Sequence, residues 1–131
     1  MPAAIAYERT GSGPPLVLVH GITESRHSWD PLIPSLAERF DVVAVDLRGH
    51  GESAKVPPFD VGTLAEDITE LTLRLGLERP HLIGHSLGGV VVTAMAAAVD
   101  PIDVINVDQP LELSGFHAGL APAAPVIRGA P

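Results

Sequence analysis

The 131-residue chain contains no cysteine, so disulfides, cysteine-ligated zinc and cysteine nucleophiles are excluded. Aromatic residues make up 4% of the chain, so its core must be built from aliphatic side chains. Basic residues are scarce, with 8 against 16 acidic residues, and Lys55 is the single lysine. We therefore expect the protein to bind neither nucleic acid nor an anionic membrane surface.

Long apolar runs are also absent. The longest one, residues 90–99, is interrupted by Thr93 and is too short to cross a bilayer. The first residues lack the basic flank and apolar stretch of a signal peptide, so we expect a soluble, cytoplasmic protein. Hydrophobic residues nevertheless reach 46%, which is enough for the core of one domain.

Segments typical of strands alternate with segments typical of helices. Short apolar runs predict buried strands, with a short edge strand before them, at residues 3–9, 16–19, 42–45, 81–83 and 104–107. This alternation predicts an α/β fold of three layers, in which helices cover both faces of a mostly parallel sheet of about five strands. Ligands of such sheets bind where the strands end at their carboxyl edge.

Three helices are predicted between the strands. Asp30-Pro31 has the form of an N-cap followed by a first helical proline, and apolar residues then recur at every fourth position. Thr63 and Glu66 form a capping box before a second helix that ends near Gly76. The third helix covers Leu87 to Val99 and is rich in alanine.

A nucleophile elbow is predicted at residues 84–89, where Gly-His-Ser-Leu-Gly-Gly follows a strand and opens a helix. In this arrangement Ser86 lies in a strained turn that exposes its hydroxyl, and Gly84 and Gly88 leave room for that turn. The following helix directs its first N–H groups at a reacting oxyanion. We predict that Ser86 is the nucleophile. The alternatives are a purely structural glycine-rich turn and a phosphate-binding turn, although the glycine spacing of phosphate loops is missing.

The other half of an oxyanion hole is predicted after the first buried strand. Gly21 in His20-Gly21-Ile22 allows the backbone to approach a ligand closely. We predict that the N–H groups of Ile22 and Leu87 hold the oxyanion. His20 is interpreted as a structural histidine that hydrogen-bonds within the surrounding loops.

Residues 46–53, which follow the second buried strand, have the sequence Asp-Leu-Arg-Gly-His-Gly-Glu-Ser. We interpret this segment as a scaffold loop with a tight glycine turn and an Asp46–Arg48 pair, rather than as part of the catalytic machinery.

Together these three motifs resemble the α/β-hydrolase superfamily, and the resemblance covers residues 7–113. The loops look like those of the branch that contains serine esterases, haloperoxidases and carbon–carbon hydrolases. Haloalkane dehalogenases and epoxide hydrolases, by contrast, carry Asp where this chain has Ser86.

The resemblance implies further strands beyond this sequence, because superfamily members are usually much longer. We therefore expect a truncated hydrolase core at residues 1–117 and a tail rich in Pro, Ala and Gly at 118–131. In the family, the missing strands carry the acid and the histidine of the triad. The remaining candidates are Asp108, after the fourth buried strand, and His117, the one histidine downstream of it. A Ser86–Asp108–His117 triad is predicted. Alternatively, Asp108 caps its turn locally and another histidine or another chain supplies the base.

The predicted function is that of a serine hydrolase, which cleaves small carboxylic esters through an acyl-enzyme. Lactone hydrolysis or perhydrolysis at the same site is an alternative, and so is a non-catalytic domain that serves binding or assembly. No ligand spacing of a metal site and no cofactor motif occurs in the sequence, so we expect neither a metal nor a cofactor. Loss of the last strands would expose residues 104–107 as a sheet edge, which predicts a homo-oligomer through this edge or the tail.

Overall fold

The computed structural model describes residues 3–107 of the chain. The predictions for Asp108, His117 and the tail at 118–131 lie outside this range. The described elements are the strands β1 to β5, the helices α1 to α3 and one 3₁₀ helix. Their bounds in chain order are β1 Tyr7–Thr10, β2 Pro15–Val19, the 3₁₀ helix Arg26–Trp29, α1 Ile33–Leu36, β3 Asp41–Val45, α2 Val61–Arg74, β4 His81–His85, α3 Leu87–Val99 and β5 Asp103–Val107.

The five strands form one sheet in the order β1-β3-β2-β4-β5. The edge strand β1 is antiparallel to β3, and all other pairs are parallel. The prediction of a mostly parallel α/β sheet is therefore confirmed. Because β2 lies between β3 and β4, the loops that follow these three strands start side by side at one edge of the sheet.

Helices cover both faces of the sheet, as the three-layer prediction requires. Successive strand residues point to opposite faces, so Val17 and Val19 pack with the buried side chains of α2 and α3. Leu16 and Leu18 point to the other face, where they join a cluster around the fully buried Trp29 of the 3₁₀ helix.

The predicted helix after Asp30-Pro31 is wrong in its start and length. Asp30 closes the 3₁₀ helix as its C-cap, and α1 begins only at Ile33. Pro34 explains this start, because a residue without an N–H is tolerated only in the first turn of a helix.

The capping prediction for the second helix is also wrong by a few residues. α2 begins at Val61, and its N-cap is Asp60, whose Oδ2 accepts the Thr63 N–H at 3.0 Å. The Thr63 hydroxyl donates to the other oxygen of Asp60 at 2.8 Å, so Thr63 supports the cap instead of forming it. None of the helices in residues 3–107 combines the length and the apolar content that a membrane span requires.

Candidate active site

Ser86 joins β4 to α3 in a backbone conformation that non-glycine residues rarely adopt, with φ 56° and ψ −114°. Its N–H donates to the carbonyl of Val107 in β5 at 2.9 Å. The side chain is exposed and does not cap α3. The turn therefore presents the Ser86 hydroxyl at the carboxyl edge of the sheet, beside the N-terminus of a helix.

The glycines around Ser86 are required by close backbone contacts. A Cβ at Gly84 would lie 2.1 Å from the carbonyl oxygen of Gly88, across the turn. A Cβ at Gly88 would lie 2.1 Å from the carbonyl oxygen of Val19 at the end of β2. Backbone atoms cannot move aside as a flexible side chain can, so both positions exclude any side chain.

The loop formed by residues 20–24, named the 20–24 loop from here on, has a fixed backbone. The Gly21 N–H donates to Oε1 of Glu24 at 2.9 Å. The Gly21 carbonyl accepts hydrogen bonds from Nδ1 of His20 at 2.7 Å and from the N–H of Glu24 at 3.2 Å. The Gly21–Ile22 peptide is trans, so its N–H points away from this carbonyl. The direction of the Ile22 N–H is thus set by bonds on the opposite side of the same peptide.

His20 connects the 20–24 loop to the chain after β3. The Leu47 N–H donates to Nε2 of His20 at 3.0 Å, so the ring proton is on Nδ1, which donates to Gly21. The ring is fully buried, and this burial lowers the pKa of His20, while the bond to Gly21 acts in the opposite direction. The lowered pKa favours the neutral imidazole.

The predicted Asp46–Arg48 pair does not exist, although both residues are buried and ion-paired. Asp46 pairs with the Arg26 guanidinium and also accepts the N–H groups of Arg26 and Glu52. Arg48 forms a bidentate salt bridge with Asp67 of α2, in which Nε donates to Oδ2 and Nη2 donates to Oδ1, each at 2.8 Å. Each partner comes from another part of the chain, so the motif connects its loop to two neighbouring segments.

These contacts shift the pKa of Asp46. Burial of its carboxyl acts to raise the pKa. The N–H groups of Arg26 and Glu52 and the Arg26 guanidinium lower it by more than burial raises it, so the pKa lies below the usual range. The pKa of Arg26 is raised, chiefly by its hydrogen bond to Glu52, so this guanidinium stays charged.

Two side chains that lie near the predicted site were not assigned a role there from the sequence. Glu24 accepts Nδ1–H of the buried His85 at 2.9 Å with the same oxygen that accepts the Gly21 N–H, and so connects the elbow to the 20–24 loop. His50 lies at the other side of this loop, where its Nε2–H donates to the Ile22 carbonyl at 2.6 Å. An acid three residues after Gly21 was the available signal for Glu24, whereas nothing in the sequence points from His50 to Ile22.

The structure places the predicted nucleophile and oxyanion donors on neighbouring strand ends. Val19 of β2 pairs with Gly84 of β4, so the segments that contain Ile22 and Ser86 start next to each other. Leu87 opens α3, with its N–H in the first turn. Asp108 and His117 lie outside residues 3–107.

One group of side chains within residues 3–107 has the spacing of metal ligands. Glu8, His27 and Asp30 each place a ligand atom within 4.8 Å of the others, and all three are exposed. Nε of Arg26 already donates to Oε1 of Glu8 at 2.9 Å, so a cation would compete with this guanidinium.

A five-stranded, mostly parallel sheet with a strained serine turn at its carboxyl edge defines the class of α/β-hydrolases. The sequence model of the alpha/beta hydrolase fold family matches residues 14–108. The chain belongs to this family.

Similar proteins include hydrolases with several kinds of substrate. A soluble epoxide hydrolase from Corynebacterium sp. (strain C12) is 46% identical over 101 residues, which cover 76% of this chain and 35% of that protein. An esterase from a marine microorganism superposes with a TM-score of 0.78 at 27% identity, covering 95% of this chain and 52% of that one. An N-acyl homoserine lactonase complexed with N-butanoyl homoserine gives a TM-score of 0.74 at 28% identity, over 78% of this chain and 40% of that one. The chain thus spans between about a third and half of these relatives.

Proposed function

We propose that the chain is a serine hydrolase or the nucleophile-bearing part of one, and that it acts on small carboxylic esters. The observation that carries this proposal is Ser86, exposed at a positive φ between β4 and α3. In the reaction, Oγ of Ser86 bonds to the acyl carbon while its proton passes to a base, and the alcohol leaves. Water then cleaves the acyl-enzyme and restores the hydroxyl. The N–H groups of Ile22 and Leu87 stabilise the oxyanion that forms in each step.

The base in this proposal is His117, oriented by Asp108. Support for Asp108 comes from the residue before it, because the carbonyl of Val107 accepts the Ser86 N–H. Asp108 is therefore covalently attached to a residue that contacts the elbow. A histidine from another part of the chain or from a second chain is the alternative base, and replacement of His117 by Ala distinguishes the two.

Epoxide hydrolysis is the competing activity, because the soluble epoxide hydrolase is 46% identical to this chain. Ser86 favours ester cleavage instead. Family members that open epoxides carry Asp where this chain has Ser86. A carboxylate that opens an epoxide forms an ester, which water cleaves at the carbonyl. A serine hydroxyl would form an ether, which has no carbonyl for water to attack. Lactones are a second substrate class, favoured by the likeness to the lactonase. A lactone is a cyclic ester and needs the same nucleophile and oxyanion donors.

The test compares initial rates on p-nitrophenyl butyrate, N-butanoyl homoserine lactone and styrene oxide. We expect cleavage of one or both acyl substrates, and a loss of kcat in Ser86→Ala of up to about a millionfold, which removes the measurable rate. Ser35→Ala, an exposed serine of α1, is the matched control and should keep the full rate.

Equal rates in Ser86→Ala and the unmodified protein would remove the nucleophile assignment. Turnover of styrene oxide alone would favour the epoxide reaction. A folded chain that is inert toward all three substrates would favour a binding or assembly role.

A further inference from the structure

We propose that His50 is a positioning residue for the oxyanion hole, because it holds the 20–24 loop by its bond to the Ile22 carbonyl. This inference rests on the proposed function, since it concerns the Ile22 N–H as an oxyanion donor. His50 belongs to the loop after β3, and the Ile22 backbone belongs to the loop after β2. The hydrogen bond between them, from Nε2–H to the carbonyl, measures 2.6 Å.

The Ile22 side chain gives the loop little anchorage of its own. It is 64% exposed, so apolar packing does not hold the tip of the 20–24 loop. The tip is held by its backbone polar groups instead. On one side of Ile22, the Gly21 carbonyl is bound by His20 and Glu24. On the other side, the Ile22 carbonyl is bound by His50.

These bonds leave the Ile22 N–H of the loop tip available to a ligand. Among residues 3–107, the Ile22 N–H has no hydrogen-bond partner, while the carbonyl groups of the peptides that contain Gly21 and Ile22 are both bound. An N–H that is free between two fixed peptides is pre-organised to bind developing negative charge. The bonds at the Gly21 carbonyl set the direction of the Ile22 N–H. The bond from His50 holds the next peptide, and without it the backbone at Ile22 would be held from one side only, so the position of this N–H would be less fixed.

His50 is itself held in place. Its ring packs against His20 with the centroids 5.0 Å apart. Both ring nitrogens face carbonyl oxygens, and a neutral ring donates to one of them; the Ile22 oxygen is the closer, at 2.6 Å against 3.0 Å for Arg48. The Arg48 guanidinium is bound to Asp67, which fixes this part of the loop to α2. The peptide that follows Ile22 is therefore held by a packed ring rather than by a mobile surface side chain.

Two substitutions separate the hydrogen bond from the volume of the ring. His50→Phe keeps an aromatic ring and removes the donor, whereas His50→Gln keeps an N–H donor at a similar reach. We expect His50→Phe to lower kcat on p-nitrophenyl butyrate by about 10- to 100-fold with KM changed less than about twofold, because an oxyanion donor acts mainly in the transition state. His50→Gln should restore most of kcat. His27→Phe, which changes an exposed histidine of the 3₁₀ helix, is the control and should keep the full rate.

A second readout does not depend on activity. The backbone amide of Ile22 in a ¹⁵N-labelled protein should shift and exchange faster in His50→Phe, and it should change little in His50→Gln. Unchanged Ile22 amide signals in both variants would overturn the inference, and so would equal losses of kcat in both. An unmodified protein without any Ser86-dependent rate would overturn the proposed function instead, and the amide signals would then decide on the role of His50 alone.

Discussion

The N–H of Ser86 donates to the carbonyl of Val107 at 2.9 Å, so the exposed serine turn is fixed to the neighbouring strand β5. This bond, together with the close approach of Gly84 to Gly88, holds a backbone conformation that a serine would not adopt by itself. Residues kept at such positive φ values are stabilised by their surroundings at a cost to the stability of the fold.

The first prediction follows from this conformation. Ser86→Gly should unfold at a higher denaturant concentration than Ser86→Ala, with a free energy of unfolding larger by about 1 kcal/mol. Glycine adopts positive φ without strain, whereas alanine keeps the Cβ that causes it. Both variants remove the hydroxyl, so the comparison isolates the backbone term. Identical denaturation midpoints would show that the turn stores no strain at Ser86.

A second prediction concerns the buried carboxylate of Asp46. The substitution Asp46→Asn should lower the free energy of unfolding by about 3 kcal/mol at neutral pH, because the Arg26 guanidinium then loses its buried carboxylate partner. Asp41→Asn is the control, since its ion pair with Arg9 is partly exposed and should contribute at most about 1 kcal/mol.

The same carboxylate predicts how stability depends on pH. The pKa of Asp46 in the folded state lies below its usual value, so its contribution is complete above about pH 4 and is lost as the pH falls through the folded-state pKa. The stability difference between the unmodified protein and Asp46→Asn should therefore shrink in acid. Urea denaturation at a series of pH values measures it, and a difference that grows in acid would contradict the pKa direction.

A third prediction concerns the assembly of the 131-residue chain. β5 pairs with β4 on one side, and within residues 3–107 no strand lies on its other side. We propose that a second copy of the chain covers this edge, because unprotected strand edges pair with other chains. Sedimentation velocity at micromolar concentrations should show a dimer or larger species, both for the full chain and after deletion of residues 118–131. A dimer lost with that deletion would point to the tail, and a monomer throughout would contradict the proposal.

Much of the fold could be predicted from the sequence, because local patterns carry it. The apolar runs at 16–19 and 42–45 lie within β2 and β3, and Gly76 follows the end of α2 with the positive φ that stops a helix. The serine turn was recognisable because its glycine pattern follows a strand and opens a helix, and because Gly84 is required by a contact with nearby Gly88.

The two helix starts were wrong by a few residues, whereas the errors at the site concern partners that are distant in the sequence. Asp46 and Arg48 are close neighbours with opposite charges, yet they pair with Arg26 and Asp67, which come from other segments. The contact of His50 with Ile22 likewise crosses 28 positions of the chain. Such pairs depend on which loops meet at the sheet edge, and no periodicity or spacing in the sequence reports that.

Because β2 is central in the sheet, its two pairings close loops of different length. β2 pairs with β3, which follows it closely in the sequence, and with β4, which lies much further along the chain. Pairs that close shorter loops form with less loss of chain entropy. The contact of His50 with Ile22 joins the loops after β2 and β3, so it belongs to the pair with the shorter loop. The place of Ser86 beside Ile22 depends instead on the β2–β4 pair, which closes the longer loop.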